Sequence, residues 1–453
     1  MKSTTDQSAI RDAIINSVIC TALAGAIFLF FYRFPVLYIH LIAEDSWGEY
    51  ATITCFFIAF LMTAYALVKR PELRRAGFVL IGLFLLFCAM EEMSWGQRIF
   101  RIDSPETFKL YNNQKELNLH NLIFIQYTKL IFQYCVLLWV AIIPVLHSRL
   151  ARFRKLSDFI GIPIVPARLS PFFYLALLFA FVHATPKSDE INELFFSMGF
   201  LIYSVDLASP VDGTRGDYPK RGLRTGAALA LAFCLAALFA WMWPWDEDLK
   251  ERLNRFTTII YPRAGMYAQA EELFEYQMKN PHLLRNDTLL NYGFFLAQRG
   301  RCEERIRILY TALEEKDRQI AEKPHDPELY GIRGRIREQL SQKSQARADF
   351  QKQIGEIERL LQENSAAMGR PGADRPLLMN DRIELLFSLG TAYIDLKDYH
   401  NALQSLREAE RLSRETVVTT IQRNKISLFM HTAEYLKKYG RLPATSVSRS
   451  RCR

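Results

Sequence analysis

The chain has 453 residues, of which 50% are hydrophobic and 23% are charged, and its formal net charge is +9. These values exclude a disordered chain, a collagen-like fibre and a small disulfide-rich scaffold. The apolar runs are concentrated before residue 245 and are about 15 to 20 residues long, which excludes a purely soluble enzyme. We therefore predict an all-α protein with a polytopic membrane domain followed by a soluble helical domain.

Seven apolar runs predict about seven transmembrane helices. The fifth and sixth runs are short for a bilayer that needs about 20 residues, so a re-entrant hairpin is the alternative for this pair. The predicted domains are a membrane domain over 1–247, a helical repeat domain over 248–440 and a basic, disordered tail over 441–453. The predicted spans are 13–32, 51–68, 76–93, 127–146, 169–184, 191–208 and 225–243.

Lysine and arginine in alternate connections predict the orientation. One set of connections, which includes 69–75 and 149–168, carries fifteen of these residues, and the other set carries seven. Because the richer side is usually cytoplasmic, we expect a cytoplasmic N-terminus. Seven crossings would then place the C-terminal domain on the outer face, which is the periplasm if the host is bacterial. The same distribution explains the net charge, so the lipid bilayer is an expected partner and nucleic acid is not.

The cysteines give little functional information. Five of the seven lie in apolar runs, and only Cys302 and Cys452 lie in the polar region. No CxxC spacing occurs, so neither a zinc finger nor a redox pair is predicted.

The polar half shows helical periodicity, and its clearest unit is LLFSLGTAYIDLKDYHNALQSLREAERL over 385–412. Small residues let two helices approach, and bulky residues fill the groove between them. The unit resembles the tetratricopeptide repeat, with weaker echoes over 265–281, 289–314 and 334–354 and an inserted loop around SAAMGRPGADRP. The resemblance implies a short solenoid that recruits a protein partner; packing on the membrane domain or oligomerisation is the alternative. The signature residues are Leu389, Gly390, Tyr393, Ala402, Leu406 and Ala409.

Four polar clusters fall on the predicted outer face, where unpaired ionisable groups near a bilayer are costly. Eight carboxylates and one histidine from different helix ends can converge there in one pocket. The clusters are Glu44, Asp45 and Glu49; Glu91, Glu92, Trp95, Gln97 and Arg98; Asn118, His120 and Asn121; and Asp189, Glu190 and Glu193.

These residue types suit a limited chemistry. Closely placed carboxylates can act as an acid and base pair, and oxygen-rich sites hold divalent cations, which makes such a cation the candidate cofactor. An enzyme of this kind would be a membrane-embedded hydrolase or transferase, whereas ordinary interface residues would have only structural roles. The candidates are Glu91, Glu92 and His120 for catalysis; Trp95, Gln97, Arg98, Asn118 and Asn121 for substrate binding; and Glu44, Asp45, Glu190 and Glu193 for a metal.

The segments EDSWGEY, EEMSWGQRIF and NLHNL together resemble a group of uncharacterised bacterial multi-pass membrane proteins with an EEISWGQR-type segment. Met93 replaces the usual isoleucine of that segment. The resemblance implies no established activity. The leading hypothesis is a bacterial inner-membrane protein of the cell envelope that binds or processes a lipid- or glycan-linked molecule and recruits a protein partner. A non-enzymatic scaffold of a secretion or polymer-export complex and an ion-coupled transporter are the alternatives.

Overall fold

The computed structural model describes residues 2–43, 46–100, 102–105, 108, 112, 116–119, 122, 128–182, 185–186, 188–209, 218–242, 246–416 and 420–440. Over these residues the protein is helical and contains no strand, which confirms the predicted all-α class. The chain divides into two compact units. The first is formed by residues 1–103 and 116–283, and the second by residues 104–115 and 284–453.

The first unit contains both long apolar helices and shorter polar ones. Its described α-helices are α1 (Lys2–Arg33), α2 (Pro35–Ile42), α3 (Trp47–Lys69), α4 (Ala76–Glu92), α5 (Gln97–Phe100), α6 (Thr128–Leu137), α7 (Ile143–Arg149), α8 (Ala151–Ile160), α9 (Ser170–Val182), α10 (Ser188–Ala208), α11 (Tyr218–Met242), α12 (Asp246–Arg255), α13 (Tyr261–Arg263) and α14 (Tyr267–Lys279).

Not all of the apolar helices are long enough to cross a bilayer. The predicted third and fifth spans correspond to α4, with 17 residues, and α9, with 13. The predicted fourth span overlaps Gln133–Arg149, which is followed by a bend of 120° into α8 (Ala151–Ile160). The prediction of seven spans is therefore not confirmed, since the described residues hold four candidates, or five with the bent pair. The four are Arg11–Arg33, Trp47–Lys69, Asp189–Ala208 and Gly222–Met242.

Helix α3 lies at the centre of the first unit and packs against α4, α10 and α11. Its buried face carries the small residues Ala51, Ala59 and Ala66, each fully buried, which allow close approach of the neighbouring backbones. Hydroxyl groups supply hydrogen bonds between the helices. Thr54 Oγ1 donates to the Ala232 carbonyl at 2.9 Å, and Thr63 Oγ1 lies 3.0 Å from Ser204 Oγ.

One end of the first unit is held by arginine contacts between distant segments. Arg168 Nη2 lies 2.5 Å from Asp206 Oδ2, and Arg70 Nη1 donates to the Leu207 carbonyl at 3.0 Å. These residues come from connections that the charge distribution assigns to a single face. The structure therefore brings together segments that the sequence places on the same side.

Helices α12 and α14 complete the first unit, although the sequence pattern groups them with the repeats. Phe256 and Tyr261 are fully buried, and the Tyr261 ring stacks on Phe31 with ring centroids 5.4 Å apart. Tyr261 Oη also donates to the Phe31 carbonyl at 3.0 Å. Residues 246–279 thus pack on the end of α1 and on α2.

Residues 288–415 of the second unit form three helix hairpins. Aspartates cap several of these helices: Asp374 accepts from the Leu377 amide at 3.1 Å, and Asp398 accepts from the Asn401 amide at 3.2 Å. The hairpins are α15 (Thr288–Arg299) with α16 (Cys302–Glu322), α17 (Pro327–Gln339) with α18 (Lys343–Met368), and α19 (Arg375–Asp395) with α20 (Tyr399–Glu415), and α21 (Thr420–Tyr439) follows.

The extra length between the second and third hairpins is mostly helical. The sequence suggests a loop around SAAMGRPGADRP, but α18 continues to Met368 and α19 begins at Arg375, so only residues 369–374 lie outside helices. Apolar contacts stabilise the longer helices, because Leu361 of α18 packs on the core that contains Ile383 and Leu386 of α19.

Candidate functional site

The end of α4 is followed by an unusual turn at Ser94, Trp95 and Gly96. Their φ angles are 47°, 53° and 79°, so three consecutive residues adopt the left-handed conformation. Only glycine adopts this conformation readily; each of the other two residues costs about 1 to 2 kcal/mol. Neighbouring contacts must therefore hold the turn in place.

Glu91 supplies two of those contacts. Its side chain is buried, its Oε1 accepts from Trp95 Nε1 at 2.6 Å, and its Oε2 accepts from the Leu119 amide at 2.8 Å. Because the two oxygens accept from separate partners, Glu91 connects the turn to the polar segment 116–119. Both carboxylate oxygens of this predicted catalytic residue therefore accept hydrogen bonds from other parts of the chain.

Other polar side chains strengthen the same connection. Ser94 Oγ donates to Glu116 Oε2 at 2.9 Å, and Asn118 Nδ2 donates to the same carboxylate oxygen at 3.0 Å. Gln97 Oε1 accepts from the Leu117 amide at 2.6 Å. Two predicted substrate-binding residues, Gln97 and Asn118, therefore bind other parts of the chain in this structure.

Acidic residues at the ends of α4 and α10 act electrostatically on a common thiol. Glu91 and Glu92 of α4 and Glu193 of α10 all lie close enough to Cys88 to act electrostatically on its thiol. The Trp95 side chain lies nearby and is 42% exposed. This end of the first unit therefore combines carboxylates with an accessible indole.

Several predicted site residues cannot be placed in this way. Glu44, Asp45, His120 and Asn121 lie outside the described residues, and only the backbone of Arg98 is described, in α5. Among the residues that the structure describes, no group of three or more histidine, cysteine, aspartate or glutamate side chains is arranged to hold a metal ion.

Arg252 of α12 is a buried cation that the sequence analysis did not select. Its Nη2 lies 3.5 Å from Oε1 of Glu190, a predicted metal ligand, and the two side chains are 5% and 18% exposed. Arg252 follows Leu249 and precedes Leu253 and Phe256 at helical spacing, so it lies on the apolar face of α12. An arginine on an otherwise apolar helix face is the sequence feature that could have identified Arg252.

Two hydrogen bonds at the same end involve aromatic hydroxyls. Tyr38 Oη donates to the Pro186 carbonyl at 2.6 Å, and burial raises the pKa of this phenol. His40 Nε2 lies 2.9 Å from Tyr276 Oη of α14. These contacts join α2, the segment before α10, and α14 at one end of the first unit.

The predicted repeat signature forms the contact between α19 and α20. A Cβ atom on Gly390 would lie 2.5 Å from Leu406 Cγ, and both Ala402 and Ala409 are fully buried. Leu389 is buried in the core between α18 and α19, and Tyr393 Oη donates to Glu358 Oε1 at 3.2 Å. The six signature residues therefore act together in packing.

The two preceding hairpins repeat this contact. A Cβ on Gly293 would lie 2.8 Å from Leu309 Cδ2, and one on Gly334 would lie 2.5 Å from Phe350 Cε1. In all three hairpins of residues 288–415 the bulky residue follows the glycine by 16 positions. The same contact between a glycine and a bulky residue therefore joins the two helices of each of these hairpins.

Charged side chains lie between the first helices of adjacent hairpins. Arg335 Nε of α17 lies 3.9 Å from Asp395 Oδ2 of α19, and Lys397 Nζ lies 3.4 Å from Glu338 Oε1. Burial raises the pKa of Asp395 to about 6, an effect that Arg335 opposes and Glu338 reinforces. This charged surface is defined here by Arg335, Glu338, Asp395 and Lys397.

Comparison with known proteins identifies the repeat. A family model described as tetratricopeptide repeat matches residues 383–416, which include all six signature residues. A search of curated proteins found no match, and neither did a search of solved structures. The match confirms the predicted repeat at this position, and the resemblance of the N-terminal part to other membrane proteins stays a prediction.

Proposed function

We propose that this protein is an integral membrane protein whose second unit recruits a protein partner. The observation that carries the proposal is the glycine-to-bulky-residue contact repeated in three hairpins, together with the tetratricopeptide match at 383–416. Stacked helix pairs of this kind form extended surfaces that bind proteins or peptides. Recruitment is therefore the function that best fits the second unit.

We place the partner on the charged surface of α17 and α19. Arg335 and Glu338 are 43% and 40% exposed, while Asp395 is 29% exposed. Partly buried charges discriminate between partners, because a partner segment must supply matching charges when it displaces water. The ion pairs that connect two hairpins favour this surface as the binding site, rather than the outer faces of α18 and α20.

Photo-crosslinking in cells tests this placement. A photoreactive residue at Arg335 or Glu338 should give the same discrete crosslinked product with the full-length protein. Arg411 of α20, which is 54% exposed, is the matched control and should not give that product. Equal products from all three positions, or a product from Arg411 alone, would contradict binding at this surface.

For the first unit we propose a site for a lipid- or glycan-linked molecule at the end that carries Glu91, Glu92 and Glu193. The electrostatic action of all three carboxylates on the Cys88 thiol and the exposed Trp95 ring support this second function. In this proposal the protein belongs to the bacterial cell envelope and lies in the inner membrane. Its N-terminus is cytoplasmic and its repeat unit is periplasmic, which requires an odd number of crossings, as in the count of five spans that includes the bent pair.

Substitution of the acidic residues tests the second function. If the site processes a substrate as a hydrolase or transferase, Glu92→Gln and Glu193→Gln should abolish complementation of a deletion strain while membrane levels and the Arg335 crosslink persist. Glu72→Gln is the control, because Glu72 is exposed and paired with Arg70 at the other end of the unit. Full complementation by both acidic variants would instead favour a non-enzymatic scaffold.

A further inference from the structure

Helix α8 leaves the preceding apolar helix at a sharp bend. The helix Gln133–Arg149 is followed by α8 at an angle of 120°. Arg154 holds this bend, because its Nε donates to the His147 carbonyl at 2.9 Å and its Nη2 donates to the Ser148 carbonyl at 2.8 Å. These carbonyls lie in the last turn of the preceding helix, where helical amides no longer reach them. A helix at this angle to one that crosses a bilayer runs closer to the membrane plane than to its normal.

Contacts with the start of α4 fix the orientation of α8. Gly161 ends α8 with a φ of 74°, and a Cβ on Gly77 of α4 would overlap the Gly161 carbonyl oxygen. Arg75 Nη1 donates to the Asp158 carbonyl, and Ser157 is buried. Because the two backbones approach this closely, α8 keeps one face toward α4 and leaves the opposite face exposed.

The exposed face of α8 combines large apolar side chains with cations. Four exposed residues recur at helical spacing and therefore share this face: Arg152, Lys155, Leu156 and Phe159. Phe159 is 84% exposed and Leu156 is 52% exposed. The sequence of α8 carries three cations and one carboxylate, Asp158, whose Oδ1 lies 3.2 Å from His147 Nε2. A binding partner of this face must therefore supply both apolar atoms and negative charge.

The apolar surface of the preceding helix continues up to the bend. Leu138, Ile142 and Val145 are 45%, 47% and 56% exposed, and their spacing places them on one face of that helix. In a bilayer such a face contacts acyl chains, because the transfer of apolar side chains from water is favourable. Val145 lies about one helical turn before Arg149, so the edge of the hydrocarbon lies beside α8.

We propose that α8 is an interfacial helix that binds anionic phospholipid. Leu156 and Phe159 insert among the acyl chains, while Arg152 and Lys155 bind the lipid phosphates. Long basic side chains reach the headgroups from an otherwise apolar face, and a helix with both kinds of residue lies in the plane of the interface. The inference rests on the proposed membrane integration of the first unit, and it adds the class of lipid that the unit selects.

Fluorescence quenching in reconstituted vesicles tests the lipid contact. A cysteine-free variant of the full-length protein with Phe159→Cys carries the fluorophore NBD at residue 159. The vesicles contain equal parts of phosphatidylcholine and phosphatidylglycerol, and bromine on the acyl chains of one lipid or the other quenches a nearby fluorophore. We expect brominated phosphatidylglycerol to quench at least about twofold more than brominated phosphatidylcholine, because the cations attract anionic lipid.

Paired substitutions test whether the cations cause this preference. Arg152→Gln with Lys155→Gln should make the two lipids quench equally, whereas the exchange Arg152→Lys with Lys155→Arg keeps both charges and should keep the preference. Lys437→Gln with Lys438→Gln is the matched control, because it removes two exposed charges from α21, and it should also keep the preference.

The same fluorophore at Val145→Cys of the preceding helix separates the possible failures. Quenching at Val145→Cys without quenching at Phe159→Cys, as a face covered by a second copy would give, overturns the inference and leaves membrane integration intact. Equal quenching of Phe159→Cys by the two lipids, or a preference that persists without both cations, also overturns it. Quenching at neither position contradicts the membrane placement of this helix as well, and photo-crosslinking from Arg335 still reports on partner recruitment in every case.

Discussion

Glu91 shows how one carboxylate can stabilise an otherwise unfavourable turn. Its bonds to the Trp95 indole and the Leu119 amide compensate for left-handed conformations at Ser94 and Trp95. Hydrogen bonds to a charged group contribute about 1.5 to 3 kcal/mol each. The turn therefore depends on Glu91.

Glu91→Ala should accelerate hydrogen exchange of the Leu119 amide by about 10-fold or more, since about 1.4 kcal/mol corresponds to a factor of ten. Hydrogen exchange with mass spectrometry on the peptide that contains residues 116–119 measures this rate. Glu72→Ala is the control, because Glu72 is exposed and paired with Arg70 at the other end of the unit, and it should leave the rate within about twofold. An unchanged rate in Glu91→Ala would show that the carboxylate does not hold this segment.

Substitutions of two glycines in the solenoid should change the free energy of unfolding in opposite directions. Gly390→Ala would place a Cβ 2.5 Å from Leu406 Cγ, whereas a Cβ on Gly355 of α18 would have open space around it. We expect Gly390→Ala to lower the free energy of unfolding by about 1 to 3 kcal/mol through overpacking. Gly355→Ala should raise it by up to about 1 kcal/mol, because alanine favours the helix.

Pulse proteolysis of the purified full-length protein in denaturant compares the two variants. The second substitution Leu406→Ala should recover part of the loss in Gly390→Ala, because it removes the atoms that clash. Equal effects of the two glycine substitutions would contradict the contact between Gly390 and Leu406.

The raised pKa of Asp395 predicts that the stability of the solenoid depends on pH. Its pKa rises from 3.8 to about 6 on folding, so the folded state binds the proton more tightly than the unfolded state does. Stability should therefore fall as pH rises from about 4 to about 6, and the loss should persist at higher pH. Asp395→Asn should remove this slope and stabilise the solenoid at pH 7.5 by about 1 kcal/mol.

Proteolysis between pH 4.5 and 7.5 measures the slope. Arg335→Gln should steepen the decline, because the guanidinium lowers the pKa of Asp395. Identical pH profiles for the wild type and Asp395→Asn would exclude Asp395 as the source.

At the scale of elements, the buried pair of Arg252 and Glu190 fixes α12 to the first unit. Removing one partner of a buried ion pair leaves the other charge uncompensated, which typically costs about 3 to 5 kcal/mol. Arg252→Ala should therefore loosen α12–α14 and expose residues 246–283 to limited proteolysis. Arg255→Ala is the matched control, because Arg255 lies in the same helix and is exposed; similar cleavage of both variants would contradict a fixing role for Arg252.

At the scale of the whole molecule, the proposed orientation predicts which probes lie on the same side of the membrane. Phe34 lies at the end formed by α2 and is exposed, whereas Glu72 lies at the arginine-rich end. Single cysteines at Phe34 and Gln404 should label from outside intact cells, and one at Glu72 should label only after permeabilisation. Labelling of Glu72→Cys from outside with protection of Phe34→Cys would reverse the proposed orientation.

Local sequence determined the helical class and the repeat. Helical periodicity depends on residues three or four positions apart, and the contact between Gly390 and Leu406 follows from two helices adjacent along the chain. The tetratricopeptide pattern was therefore readable without coordinates of distant segments. Apolar runs likewise indicated the long helices, but hydropathy alone did not determine which of them are long enough to span.

Only the tertiary structure decided which distant residues meet. Glu91 meets Leu119, Arg252 meets Glu190, and Tyr261 meets Phe31 across long stretches of chain. The same aromatic contacts place α12 and α14 in the first unit, although their helical pattern resembles that of the repeats. Burial and pairing depend on the assembled fold, because a charged or aromatic side chain has no fixed partner until distant helices pack around it.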